Sequence, residues 1–517
     1  MRYENNSWIT QLNVSLIPPS LKDNTADSDR LKNGIEKKLP GDRVEIPFHV
    51  VKYLPSLLRK YNYKCRVILY RQGDRWRVID LFPPGGEEHL YGAAVDLGSS
   101  TVVLRFVDLL SGDTLDESSF MNPQHEIGSD ILSRIHFASE ENGKNHLQEI
   151  LIKRINREIK TLAEKHDVMK SAIVTLAAAG NTAMTHFFLG LDPYWICREP
   201  YIPAINTPDV LSPSDIGLDI NPGGPVIVIP CVGSYLGGDV LAGILSSDMS
   251  SNSDVSMLID VGTNAEVVLG NSEWLLACAG AAGPALEGGV AGMGMMAGPG
   301  AIDHVYIDPV SREIKIRTID NIPAVGICGS GLIDLAGQLF MSGMIDLRGQ
   351  FNKEKCSDRL VDIDGVKNLV IVPSSGSSKG EELYLNQTDI DALLRSKAAM
   401  YTILNTITNM ANLEMNEISS INIAGTFGAY IDPVSAISLG MMPDLPLSKY
   451  VSLGNTSLEG VTGVLISAKS RDDIYKIKEM VTYIELNVNQ EFMNNFNAAK
   501  FIPHTDRSLF PSVKEWG

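Results

Sequence analysis

Met257-Leu-Ile-Asp-Val-Gly-Thr-Asn-Ala-Glu-Val-Val-Leu-Gly270 decides how the rest of the chain is read. An apolar run ends at Asp260, a polar turn follows with Gly262, Thr263 and Asn264, and a second apolar run leaves from Glu266. That pattern predicts a β-hairpin with a carboxylate at the end of its first strand. Ala93-Ala-Val-Asp-Leu-Gly-Ser-Ser-Thr-Val-Val-Leu104 repeats it, with Asp96 ahead of Gly98, Ser99, Ser100 and Thr101. A polyphosphate carrying Mg²⁺ needs backbone N–H donors, small hydroxyl side chains and a carboxylate near the metal. Each turn offers that set. One such hairpin alone reads as a tight turn. A matched pair, with Gly425, Thr426, Phe427 and Gly428 after a third strand, points to a nucleotide instead. A glycine turn in that third place lets an adenine ring approach the backbone closely.

The 517 residues exceed a single ordinary core, so several domains are expected. The net charge of −18 argues against general binding to nucleic acid or to anionic membranes, which need a basic surface. No apolar run reaches the length of a membrane span, and the N-terminus lacks the apolar stretch of a secretory signal. A cytoplasmic location is the expectation. The six cysteines, Cys65, Cys197, Cys231, Cys278, Cys328 and Cys356, stand singly. An iron–sulfur cluster or structural zinc usually draws two ligands from one short loop, so isolated reduced thiols are expected here.

Residues 1–90 read as a small unit: an extended Pro-rich stretch at Leu16–Asp23, helices near Asp27–Ile35 and Val50–Arg59, and a hairpin of Lys64–Tyr70 with Arg75–Leu81. A first α/β lobe follows over 91–250. Its leucines and isoleucines between Gly143 and Val168 recur every three or four residues, marking an amphipathic helix. Strands at Ser171–Ala177 and Pro225–Pro230 lead to Asn181 and to Asp239, each before a helix. The second lobe covers 251–517, its C-terminal part a candidate to return to the first. It is read with a helix from Leu332, a polar surface insertion over 347–388, and a helix over Ser396–Leu413. A strand at Ser419–Gly425, a helix over Asp473–Leu486 and an irregular tail complete it.

Gly329, Ser330 and Gly331 could hold phosphate or ribose through backbone N–H groups, or form a helix start capped by Ser330. Asp239, Glu266 and Glu287 are candidates to orient a water, or else caps and surface partners. His186 lies on an apolar helix and reads as a satisfied core histidine. Met293, Met295 and Met296 read as core filling rather than as a docking face. Walker A, G-x-S-x-G and H-E-x-x-H patterns are absent from the sequence.

The two Asp-Gly hairpins and the third glycine turn resemble the superfamily of actin, sugar kinases and heat-shock chaperone ATPases. Asp260–Glu266, Gly180–His186, Ala281–Glu287 and Gly326–Gly331 are together similar to the reductive activators of corrinoid proteins, over nearly the whole chain. The resemblance implies a two-lobed actin-like α/β fold after an N-terminal linking unit. It implies ATP in the cleft, Mg²⁺ bridged by Asp96 and Asp260, and a corrinoid protein as partner whose cobalt is returned from Co(II) to Co(I). It also implies a homodimer. Activators of this kind usually carry an iron–sulfur domain. The single cysteines here imply no cluster in this chain, which is then a natural short form, a fragment, or a member that takes electrons from a separate protein. Serines at 99 and 100 replace usual threonines, Ala265 a usual glycine, and Met296 a usual arginine. A small-molecule kinase of the same fold and a non-enzymatic nucleotide-switched binding protein are the alternatives.

Overall fold

The computed structural model describes residues 7–85, 89–262, 264–280, 291–425, 431–486 and 490–513. The chain forms two compact units, Met1–Ser246 with Ser457–Glu479, and Ser247–Thr456 with Met480–Gly517. Among the described residues, no helix is long and apolar enough to cross a membrane.

The first unit begins with a four-stranded sheet, β1 (Ile9–Ser15), β2 (Arg43–Glu45), β3 (Lys64–Gln72) and β4 (Arg75–Phe82), in the order β1-β3-β4-β2. The helices Asp27–Glu36 and Phe48–Lys60 bury Leu31, Ile35, Val50, Leu54 and Leu58 in the same core as Val67, Leu69 and Val78 of the sheet. The β3–β4 hairpin stands as the sequence suggests. The edge strands β1 and β2 were not expected: β1 is rich in polar residues and β2 is only three residues long. This sheet is tied to the helices that return near the C-terminus. The Trp8 indole N–H donates to the Val464 carbonyl at 2.8 Å, and Arg471 lies over the Trp8 ring while donating to the Arg71 carbonyl.

The main sheet of this unit contains β5 (Tyr91–Leu97), β6 (Thr101–Asp108), β7 (Thr114–Met121), β8 (Ile173–Gly180) and β9 (Val226–Val228), in the order β7-β6-β5-β8-β9. The first three are antiparallel, and β5, β8 and β9 are parallel. The helix Gly143–Lys165 lays Leu147, Leu151, Ile155, Ile159 and Leu162 into the core, the stripe its periodicity predicts.

The second unit repeats the plan. Its strands are β10 (Ser256–Val261), β11 (Ala265–Gly270), β12 (Leu275–Gly280), β13 (Ala301–Ile307), β14 (Ile314–Thr318), β15 (Gly326–Ile327), β16 (Leu360–Ile363), β17 (Val366–Val372), β18 (Leu383–Asn386), β19 (Ser420–Ala424), β20 (Tyr450–Gly454) and β21 (Val481–Tyr483). The main sheet runs β20-β19-β10-β11-β12-β21. Again three antiparallel strands, β10 to β12, continue into parallel ones, β19 and β20. This is the mixed α/β, actin-like duplication expected from the hairpins.

Several expectations fail here for physical reasons. The 347–388 stretch is not a surface insertion. It holds an antiparallel sheet, β16-β17-β18, and the apolar run of β17 buries Leu369, Ile371 and Val372, while the β16–β17 turn and the Ser-rich loop after β17 are exposed. The long helix starts at Gln387 rather than Ser396, because Asn386 and Asp389 form a reciprocal capping box, and it ends at Met410. Asp473–Leu486 is not one helix. A helix Ala468–Met480 gives way to β21, which adds in parallel to β12. The tail contains a further helix, Gln490–Ala499.

Candidate functional site

Asp96 is the penultimate residue of β5, and its hairpin partner in register is Val103. In the parallel direction it stands beside Ala179, with Leu97 beside Gly180. The turn Gly98-Ser99-Ser100 is half-exposed, and Thr101 opens β6. Gly98 is dictated by space: a Cβ there would fall 2.1 Å from the Thr101 carbonyl oxygen. Asn122 clamps the turn from behind. Its backbone N–H donates to the Ser100 carbonyl at 2.8 Å and its side-chain amide to the Gly98 carbonyl at 3.0 Å. The turn's carbonyls are thus engaged from the protein side. The Asp96 carboxylate is held by the Ser457 hydroxyl, which donates to it at 2.8 Å.

Two more groups gather at this sheet end. Asn181 caps the helix Thr182–Leu189, its side chain accepting from the Met184 N–H at 2.9 Å. The helix Gly238–Ser246 starts two residues earlier than the sequence suggested, so Asp239 lies in its first turn. A Cβ on Gly237 would come within 2.3 Å of the Asn181 Cα, which sets Asp239 beside the Gly180–Asn181 turn. All these positions lie beyond the carboxyl ends of parallel strands, where open α/β sheets bind ligands.

In the second unit, Asp260 is the penultimate residue of β10 and faces Glu266 directly across the hairpin. Both are half-buried. Like charges placed opposite each other on one sheet face repel, and a cation would offset that cost. Beside Asp260 in parallel register is Ala424, and the chain leaves it through Gly425 at φ +84°. A Cβ on Gly425 would lie 2.8 Å from an Asp260 carboxylate oxygen, so a glycine leaves this carboxylate accessible. Gly262 donates its N–H to the Asn264 carbonyl at 2.9 Å, closing the loop. Thr263, Thr426, Phe427, Gly428 and Glu287 lie outside the described residues.

Gly329, Ser330 and Gly331 form the first turn of a helix, Gly329–Met341, three residues earlier than expected. Ser330 is not its cap. That place belongs to Cys328, without a side-chain cap bond, and the Ser330 hydroxyl contacts the Cys328 Sγ at 3.3 Å. All three are buried, and Gly331 is required by the Ile302 carbonyl, 2.1 Å from where its Cβ would stand.

His186 is the core histidine expected. Its Nδ1 meets the Thr182 carbonyl at 2.7 Å and its Nε2 accepts from the Ala204 N–H at 3.0 Å, while burial lowers its pKa. Met293 is buried, but Met296 is exposed. Five of the six cysteines are buried free thiols, and burial pushes Cys65 and Cys278 up to about 12. Sequence reading missed Asn122 and Ser457. Ser457 lies 361 residues from the carboxylate it holds, so no local pattern links them.

Comparison with known proteins places nearly the whole chain among described families. Residues 2–88 match the RACo linker region, 91–252 the RACo middle region, and 254–514 the C-terminal domain of RACo, the ASKHA domain. The corrinoid activation enzyme RamQ of Eubacterium limosum is 29% identical over 470 residues, covering 89% of this chain and 78% of the relative. The [Co(II) methylated amine-specific corrinoid protein] reductase of Methanosarcina barkeri is 26% identical over 444 residues, covering 79% and 76%. A solved reductive activator for corrinoid, iron–sulfur protein superposes with a TM-score of 0.89 at 35% identity, covering 99% of this chain and 81% of that one.

Proposed function

Because the chain belongs to the RACo family, we propose that it is an ATP-dependent reductive activator of a corrinoid protein. The observation that carries the reading is the duplicated hairpin. In each unit a carboxylate lies next to the end of a central strand, a three-residue glycine-containing connection follows, and a parallel strand brings a glycine, Gly180 or Gly425, alongside.

The residues fit Mg·ATP. Gly98 lets its turn close tightly against the Thr101 carbonyl, Gly425 leaves the Asp260 carboxylate unobstructed by a Cβ, and Asp96 and Asp260 are half-buried oxygen donors suited to a hard cation. In this reading Asp96 and Asp260 would hold Mg²⁺, which would supply charge neutralisation for the phosphates. Gly98, Ser99, Ser100 and Thr101, with Gly262, Thr263 and Asn264, grip the phosphates by N–H and hydroxyl groups. Gly425, Thr426, Phe427 and Gly428 take the adenine side. Glu266, facing Asp260, and Asp239, beside the Gly180–Asn181 turn, orient the attacking water. ATP is cleaved to ADP and phosphate while one electron is added to the partner's cobalt, Co(II) to Co(I). The electron comes from a separate donor, since the cysteines stand singly along the chain.

The test combines purified chain, Mg·ATP, a corrinoid protein in the Co(II) state and a chemical reductant, followed by cobalt absorbance. Co(I) formation that needs both chain and ATP supports the proposal. Failure to bind ATP, together with no change in Co(I) yield for any corrinoid partner, would sink it.

A further inference from the structure

Behind the Gly98 turn lies a buried positive charge that no described acidic group neutralises. Arg134, on the helix Ile131–Ala138, is 0% exposed. Its Nε donates to the Gly128 carbonyl at 2.8 Å, and one Nη lies 3.8 Å from the Met184 sulfur. The other Nη has no hydrogen-bond partner. Among the described residues, no carboxylate stands within ion-pairing distance of it. Asp130, the acidic group nearest in effect, spends its oxygens on the Ser133 N–H and hydroxyl at 2.9 and 2.6 Å.

Isolated buried guanidinium groups are costly, and an apolar side chain would fill the same space at lower cost. The place of this one is informative. Met184 Sδ touches Arg134 on one side and the Asn122 side-chain amide, at 3.7 Å, on the other. That same amide holds the Gly98 carbonyl, and Met184 itself sits in the first turn of the helix capped by Asn181. Arg134 therefore stands one residue behind the clamp on the turn, in surroundings that screen its field poorly. Burial pulls its pKa down to about 10, which still leaves it charged at neutral pH.

We propose that Arg134 is a charge-selecting residue: a buried cation that makes the Gly98–Thr101 turn prefer polyphosphate over uncharged ligands without touching them. This rests on the nucleotide reading above and adds to it a fixed positive charge in the protein that favours anions beside the turn's own N–H and hydroxyl groups, against the acidic neighbours Asp96 and Asp239.

The test measures binding of Mg·ATP, ADP and adenosine to the full chain and to Arg134→Met, Arg134→Gln and Arg134→Lys. Removing a unit charge at this depth should weaken ATP roughly tenfold and adenosine by less than about twofold, while the lysine variant keeps the parent's preference. Equal weakening of ATP and adenosine would mark a packing role and overturn the inference. So would unchanged ATP affinity in a neutral variant. If a neutral variant fails to fold, Arg134→Lys still decides: loss of the ATP-over-adenosine preference there overturns it. A parent chain that binds adenosine but shows no preference for ATP refutes this inference alone, whereas a parent that binds none of the three ligands refutes the nucleotide reading with it.

Discussion

The two hairpins are built to one plan and finished differently. Asp96 and Asp260 occupy the same strand position, precede turns of the same length, and lie beside an alanine of a parallel strand that is followed directly by glycine, Gly180 or Gly425. Around Asp96 the finish is supportive. Val103 faces it, the Ser457 hydroxyl holds it, Asn122 clamps its turn, and a buried arginine lies behind. Opposite Asp260 a second carboxylate, Glu266, faces the same side of the sheet. Duplication gives both units the same carboxylate-and-glycine hairpin, and in the proposed site the flanking residues then divide the labour. In the proposed site both hairpins hold phosphate and metal, and the second adds a carboxylate, Glu266, for chemistry.

The largest effect should come from the carboxylates the plan shares. Asp96→Asn and Asp260→Asn should each lower ATP turnover on the order of a thousandfold, since in the proposed site each would remove charge next to Mg²⁺. Thermal unfolding should shift by only about 1 kcal/mol of stability. Normal ATP hydrolysis in both variants would dissolve the comparison.

Next comes the difference itself. Glu266→Gln should cut kcat roughly a hundredfold with little change in KM, as expected for a group that orients or deprotonates water. Val103→Gln, at the equivalent position of the first hairpin, should leave kcat within about threefold. If the glutamine at 266 left kcat intact, the division of labour would be wrong even with the nucleotide site right.

The shared plan was legible in the sequence because a hairpin is local. Its strands alternate, its turn carries glycine, and its carboxylate stands at a fixed offset. The long helix of the second unit shows what hides. Its true start carries a readable capping box, Asn386 with Asp389, but the polar residues before Ser396 mask it. Strand β17 was lost in a Ser-rich neighbourhood, although its Leu369, Ile371 and Val372 fill core. The flanking finish was invisible for another reason. Ser457, Asn122 and Arg134 reach the first hairpin only through tertiary folding, and a polar side chain's partner cannot be read from its own neighbours.

A smaller contrast lies in the glycines. Gly98→Ala puts a Cβ against backbone, 2.1 Å from the Thr101 oxygen, so the turn itself must shift. Gly425→Ala meets a left-handed φ and, at 2.8 Å, a side-chain oxygen of Asp260. The first should destabilise its unit by about 3 kcal/mol and the second by about 1–2 kcal/mol, by denaturant unfolding. Equal costs would mean that the two turns are more alike than their surroundings.

The smallest effect is expected at Ser457, and it bears on the finish of the first hairpin alone. The side chain is buried, and its hydroxyl donates to one Asp96 oxygen at 2.8 Å. Ser457→Ala removes the donor without leaving a buried polar atom of its own, and the carboxylate keeps its other contacts. Loss of one hydrogen bond to a charged group is worth about 1.5–3 kcal/mol at most, and partial access of water to Asp96 lowers that. The expected outcome is a rise of roughly threefold to tenfold in the Mg²⁺ concentration that supports half-maximal turnover, at unchanged kcat under saturating Mg²⁺. Ser457→Thr restores the hydroxyl and should restore the Mg²⁺ requirement. A Ser457→Ala chain with the parent's Mg²⁺ requirement would show that Asp96 is positioned by its strand alone, as the plan shared with Asp260 already provides.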